Sequence, residues 1–242
     1  MRAFKFLGLG SVGLFSGYAW PRPVNGGPGA WVEAGGPLEP CRVGVHAVRG
    51  ASLLDWMDDE LWRVEIAGEV VDDAGVLVAE RGRLLSRIGG WDAEAARALT
   101  AACIARLRDG AVTGLRRAGD AATADRLVTA NAPEARRLAL EAEARGDATV
   151  AMTCVTLADA LSLAAGSRPE LDVIAHPGVA PPASAVTANV AYVAAHTLAA
   201  EHGPAGHAAA FADERAWQLE WLAERVGAHG PAGVGDGTAA FA

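Results

Sequence analysis

Ile88-Gly89-Gly90-Trp91-Asp92-Ala93-Glu94-Ala95-Ala96-Arg97-Ala98-Leu99 decides the fold, because the spacing of apolar residues changes period inside it. Before Trp91 the pattern is that of strands, and from Asp92 onward it is helical. Asp92 has the side chain of a helix N-cap, and Glu94 adds negative charge to the first turn, where free N–H groups and the helix dipole favour it. Composition divides at the same place. Of the 55 alanines only 9 precede Trp91, whereas Trp20, Trp31, Trp56, Trp62 and Trp91 lie in the first part and Trp217 and Trp221 in the second. The expectation is an α+β protein: a small, mostly antiparallel β unit over residues 1–91, an alanine-rich helical bundle over 92–228 and a flexible tail over 229–242.

Within the first part, residues 3–7 alternate at period two, residues 8–13 read as turns, and 14–20 as a further strand. Residues 21–37 are a Gly- and Pro-rich loop holding a short edge strand at Trp31-Val32-Glu33. Residues 41–48 read as a strand, with Ser52 capping a short helix over 53–58. Trp62, Val64 and Ile66 then share one strand face, opposite Arg63 and Glu65. Val70-Val71, a turn at Asp72-Asp73-Ala74-Gly75 and a strand over 76–79 follow, and Leu84, Leu85 and Ile88 close the sheet. After Asp92 a helix is expected to end near Gly110, followed by helices over 111–118, 121–131, 133–145, 148–165, 183–201 and 205–227. A proline-rich loop over 166–182 interrupts them.

A chain that is 51% hydrophobic and 21% charged is an ordinary globular protein, and its net charge of -8 offers no phosphate-neutralising surface, so no nucleic-acid partner is expected. Cys41, Cys103 and Cys154 are odd in number and form no C-x-x-C pair, which indicates neither a disulfide framework nor structural zinc and points to a reducing cytoplasm. Lys5 is the only lysine among 21 basic residues, a bias that reads as the codon usage of a GC-rich genome and carries no mechanism. The opening apolar run is broken by Gly8, Gly10, Gly13 and Gly17, so no signal peptide is expected. Residues 148–165 and 183–200 approach membrane-spanning length, but alanine and threonine are too weakly apolar, and buried helices are expected instead.

The densest polar signature is Cys41-Arg42-Val43-Gly44-Val45-His46-Ala47, at a strand end just before a helix. His46 there has the chemistry of a general base, with Cys41 as a substrate contact. The alternative is that Cys41 fills space and His46 hydrogen-bonds within the sheet. Arg81 is either an anion contact or a solvated surface charge. The second constellation is helical. Thr149, Thr153, Thr156 and Asp159 fall on one stripe, and Asn189, Tyr192 and His196 on another. Facing each other, Asp159, Tyr192 and His196 would make a desolvated acid–base group, with Thr156 and Asn189 as substrate contacts; otherwise the stripes are a polar network that sets helix register. Glu201, His202 and His207, and Asp172 with His176, do not complete a metal-ligand set, so no metal is expected.

Ala3-Phe4-Lys5, Phe15-Ser16-Gly17, Cys41-x-x-Gly44-x-His46-Ala47, Leu61-Trp62-x-Val64-Glu65-x-x-Gly68-Glu69, Ala79-x-Arg81-Gly82 and Glu214-Arg215-Ala216-Trp217-Gln218 together resemble an uncharacterised actinobacterial family. Up to about residue 90 the chain is also similar to a phage and bacterial domain of unknown function with a Cys-x-x-Gly-x-His signature. Neither resemblance implies a reaction. Val48 stands where relatives carry a second cysteine, which leaves no thiol pair. More loosely, Gly44-x-His46 followed by Ser52 is similar to ADP-ribosyltransferase-like domains, and that resemblance implies NAD binding near His46. Three functions follow as expectations: a small-molecule enzyme working by acid–base chemistry without a tightly bound metal, in a pocket between the two parts; a non-catalytic binding protein that self-associates through its helices; or an NAD-binding module. No cofactor is identified.

Overall fold

The computed structural model describes residues 1–166 and 182–227; Asp172, His176 and the tail over 229–242 lie outside the described residues. The fold is α+β. Strands β1 (Arg2–Leu7), β2 (Val32–Glu33), β3 (Val45–Val48), β4 (Glu60–Asp73) and β5 (Val76–Arg87) precede six α-helices among the described residues: α1 (Ala93–Arg117), α2 (Ala121–Val128), α3 (Ala132–Ala144), α4 (Ala148–Ala164), α5 (Ala183–Ala200) and α6 (Gly203–Arg225). None of these helices is long and apolar enough to cross a membrane. The described residues separate into two compact units, one of residues 1–96 with 216–227 and the other within residues 97–215.

In the first unit β1 runs antiparallel to β4 from Arg2↔Glu65 to Leu7↔Glu60. One side of β5 lies against β4 along most of its length; the other side takes β3 and then β2. With β1 meeting β3 at Phe4↔Val48, the order β2-β5-β3-β1-β4 closes through β5–β4 into a small barrel. Period-two alternation explains what fills it. Leu7, Val45, Ile66, Leu77 and Leu84 turn into one core with Trp62, and each such side chain contributes roughly 1.5–3 kcal/mol by leaving water. Ala74 and Gly75 both have positive φ, 51° and 88°, the backbone of a tight two-residue turn between β4 and β5.

Several elements differ from the expectation. Residues 14–20 form no strand: the chain turns at Gly13 and Gly17, leaving only isolated bridges such as Val12↔Ala19. β3 begins at Val45 rather than at residue 41, because Cys41 and Gly44 have positive φ (63° and 134°), which a strand cannot hold. The helix after it is a 3₁₀ helix, Gly50–Trp56, and Ser52 does not cap it: its hydroxyl donates to the Ala74 carbonyl at 2.8 Å. β4 is one strand with a bulge near Ala67, where two were expected.

In the second unit α3 packs along α4, and α4 against α5. Asp120, Asn131 and Asp147 each accept an amide of the first turn of α2, α3 and α4, just as Asp92 accepts the Ala95 amide at the start of α1. Helix α1 does not stop near Gly110. A Cβ at Gly110 would lie 2.4 Å from Leu198 Cδ2, so this glycine permits close approach of α5 rather than ending a helix. Thr100 on α1 and Thr187 on α5 form a buried hydroxyl pair at 2.9 Å.

Candidate functional site

A cleft of about 1050 Å3 lies wholly in the β unit. Lys5 and Phe6 of β1 and residues 45–48 of β3 line one part of it; Tyr18, Trp20 and Trp56 give it an aromatic wall. Phe15, 83% exposed, lies edge-on to Trp56 with ring centroids 5.8 Å apart and extends that wall outward. The loop bearing Phe15 and Tyr18 is anchored by a buried carboxylate. Glu60 accepts hydrogen bonds from Ser11 Oγ at 2.8 Å, Trp62 Nε1 at 3.1 Å, the Gly10 amide at 3.3 Å and Arg22 Nη2 at 3.3 Å. Burial opposes ionisation of Glu60, but the Ser11 and Trp62 bonds, with Arg87 and the Gly10 amide, outweigh it and hold the carboxyl below its usual range.

His46 is on this cleft, with both ring nitrogens engaged by backbone. Nε2 accepts the Cys41 amide at 3.0 Å, and Nδ1 lies 3.1 Å from the Gly44 carbonyl. These contacts select the neutral tautomer protonated on Nδ1, since only that one donates to the carbonyl while accepting the amide. Burial and the nearby Lys5 charge push the imidazole below its ordinary pKa, against the Gly44 bond. The side chain expected as a general base therefore has no free nitrogen for substrate; it holds the Cys41–Gly44 loop against β3. Gly44 is needed there, with φ at 134° and only 2.4 Å between a would-be Cβ and Val78 Cγ1. Cys41 is exposed and free on the cleft wall, whereas burial pushes the Cys103 and Cys154 thiols up to about 12 and about 11 and leaves them inert.

Lys5 is the chemically open group. Its Nζ donates to the His46 carbonyl at 2.6 Å and sits 5.1 Å from the centre of the Trp20 ring. Among the described residues no carboxylate pairs with it. Burial lowers its pKa to about 8, so the ammonium and the free amine are both present near neutrality. Reading Lys5 as codon bias missed this role. The available signal was its place between Ala3 and Leu7, on the strand face that turns inward. Arg81 does not line the cleft: its guanidinium lies 4.9 Å over the Trp31 ring, beside Arg83 at 4.5 Å.

Of the expected acid–base group, Tyr192 and His196 are in contact edge to face, with ring centres 4.5 Å apart. Asp159 forms an ion pair with Arg136 of α3. Tyr192 is 49% exposed and Asn189 is exposed as well, so neither is desolvated. Thr156 and His196 do share a cavity of about 420 Å3, with Glu201. Thr153 and Thr156 return their hydroxyls to the carbonyls of Thr149 and Met152, and so offer that cavity no free donor. His196 is held by aromatic neighbours instead, 4.4 Å from Phe211 and 5.3 Å from His207 between ring centres, with its Nδ1 3.4 Å from His207 Nε2. Burial, with His207 and Arg215, lowers the His196 pKa, and burial raises that of Glu201. Among the described residues no three His, Cys, Asp or Glu side chains gather to hold a metal ion.

No protein-family model, curated protein or solved structure matches the chain.

Proposed function

We propose that the chain binds a small organic molecule in the cleft of its β unit and acts on it by proton transfer, without a tightly bound metal, with Lys5 as the group that carries the proton. One observation supports this above the others: an ammonium group lining a cleft with an aromatic wall has a carbonyl and a ring for neighbours and, among the described residues, no carboxylate paired with it. A half-buried unpaired charge is costly, and a ligand bringing a carboxylate or another acceptor oxygen relieves that cost. The aromatic wall suits an apolar ligand body. Cys41, exposed and free, is a substrate contact in this reading, and His46 is a positioning residue. Three free thiols are compatible with the reducing cytoplasm as the setting.

The test is a thermal-shift screen of organic acids and carbonyl compounds against the unaltered protein and the Lys5→Met and His196→Ala variants. Ligands of the cleft raise the melting temperature of the unaltered protein and of His196→Ala, and leave Lys5→Met unmoved. No stabilising ligand at all, or an equal response in Lys5→Met, overturns the reading.

A further inference from the structure

We propose that Lys5 captures its substrate covalently: Nζ condenses with the carbonyl carbon of an aldehyde or ketone seated in the cleft of the β unit to form an imine. This rests on the reading of the cleft as a small-molecule site and names the substrate class.

The first support is the choice of residue. Of 21 basic residues, 20 are arginine. The single lysine occupies a position where the side chain of β1 turns in toward the cleft. Arginine supplies positive charge as well as lysine does, but a guanidinium keeps its proton and does not attack a carbonyl, whereas an amine does both. The second support is the setting. The His46 carbonyl fixes Nζ at 2.6 Å, Trp20 covers it at 5.1 Å, and no carboxylate among the described residues holds it as an ammonium ion. Burial draws the amine down to about 8, which provides the neutral nucleophile at physiological pH. The third is the lining: Phe6, Trp20 and Trp56 give the cleft apolar walls suited to the body of a carbonyl compound, and Ser16 and Tyr18 border the same cleft.

The chemistry balances without an oxidant. The amine lone pair forms the C–N bond while the carbonyl π pair moves to oxygen, which gains the proton that nitrogen gives up. The carbinolamine oxygen then takes a second proton and departs as water, and nitrogen, keeping one hydrogen, carries the positive charge of the protonated imine.

The experiment treats the full chain near neutral pH with 4-carboxybenzaldehyde and cyanoborohydride, which reduces an imine to a stable amine, and reads the product by intact and peptide mass spectrometry. Because the chain has one lysine, only the Met1 amine competes. A single adduct on Lys5, formed at least about tenfold faster than on the urea-unfolded chain, saturating with aldehyde and slowed by terephthalate, supports the proposal. Lys5→Arg and Lys5→Met, each checked for a single cooperative melting transition no lower than that of the unaltered protein, lose the adduct. Labelling confined to Met1, or a Lys5 rate equal to that of the unfolded chain, overturns it. If terephthalate stabilises the unaltered protein but not Lys5→Met and no Lys5 adduct forms, the imine is overturned while the cleft reading stands; if neither compound engages Lys5, both fall.

Discussion

The His46 imidazole accepts the amide of Cys41, five residues earlier, at 3.0 Å, and its other nitrogen meets the Gly44 carbonyl at 3.1 Å. The Cys-x-x-Gly-x-His spacing is thereby a closed local device. Cys41 contributes an amide and an exposed thiol, Gly44 a backbone angle, and His46 the ring that joins them.

His46→Ala therefore lowers stability by about 1–2 kcal/mol, because two backbone groups lose their partner. Urea unfolding measures this. A histidine acting only as a general base predicts loss of turnover with the unfolding midpoint unchanged.

Gly44→Ala is more damaging, by upward of about 2 kcal/mol. The methyl group meets Val78 Cγ1 at 2.4 Å with φ at 134°. Thermal melting of the variant reads it, and a midpoint equal to that of the unaltered protein contradicts the loop geometry.

Lys5 gives stability an alkaline slope. Its folded pKa, about 8, lies below the ordinary 10.5, so between those values the unfolded chain binds the extra proton and stability rises with pH. Lys5→Met flattens that slope and raises stability at neutral pH by about 1 kcal/mol, since a charge without a partner carboxylate is removed. Unfolding curves collected from pH 7 to 10 settle the sign.

On the acid side the histidines act in the same direction. The pKa values of His46 and His196 are lowered in the folded state, so their contribution is complete above the ordinary 6.5 and is lost as pH falls through the folded values. His196→Phe, which keeps the stack on Phe211, reduces the fall in melting temperature between pH 7 and 5. An undiminished fall assigns the effect elsewhere.

Asp159→Asn removes a half-exposed ion pair with Arg136 and costs less than about 1 kcal/mol. Ligand-induced stabilisation is unchanged in this variant. Its loss in the thermal-shift screen returns Asp159 to the site.

The break at Trp91-Asp92, the capped helix starts and the inward face of Trp62, Val64 and Ile66 were legible because each depends on local chemistry or on a period. What was not legible depends on distant partners. Gly110 resembles a helix stop until Leu198 is seen against it. Ser52 resembles a cap until its hydroxyl is found on Ala74. Asp159 resembles a buried acid until Arg136 arrives from another helix. For the site, the signature containing Cys41 and His46 was visible, but not the division of tasks within it. Glu60 carried no signal at all, since its partners Ser11 and Arg22 come from a loop 38 to 49 residues away.

The loop from Cys41 to His46 also separates what is fixed from what is free to vary. Residues 41, 44 and 46 are spoken for by an amide bond, a backbone angle and a ring, while the side chains of Arg42 and Val43 reach the cleft without such duties beyond the Arg42–Glu39 surface pair. Substitutions at those two positions re-tailor ligand preference on an unmoving frame, which makes them the natural pair to randomise when the cleft is to be taught a different guest.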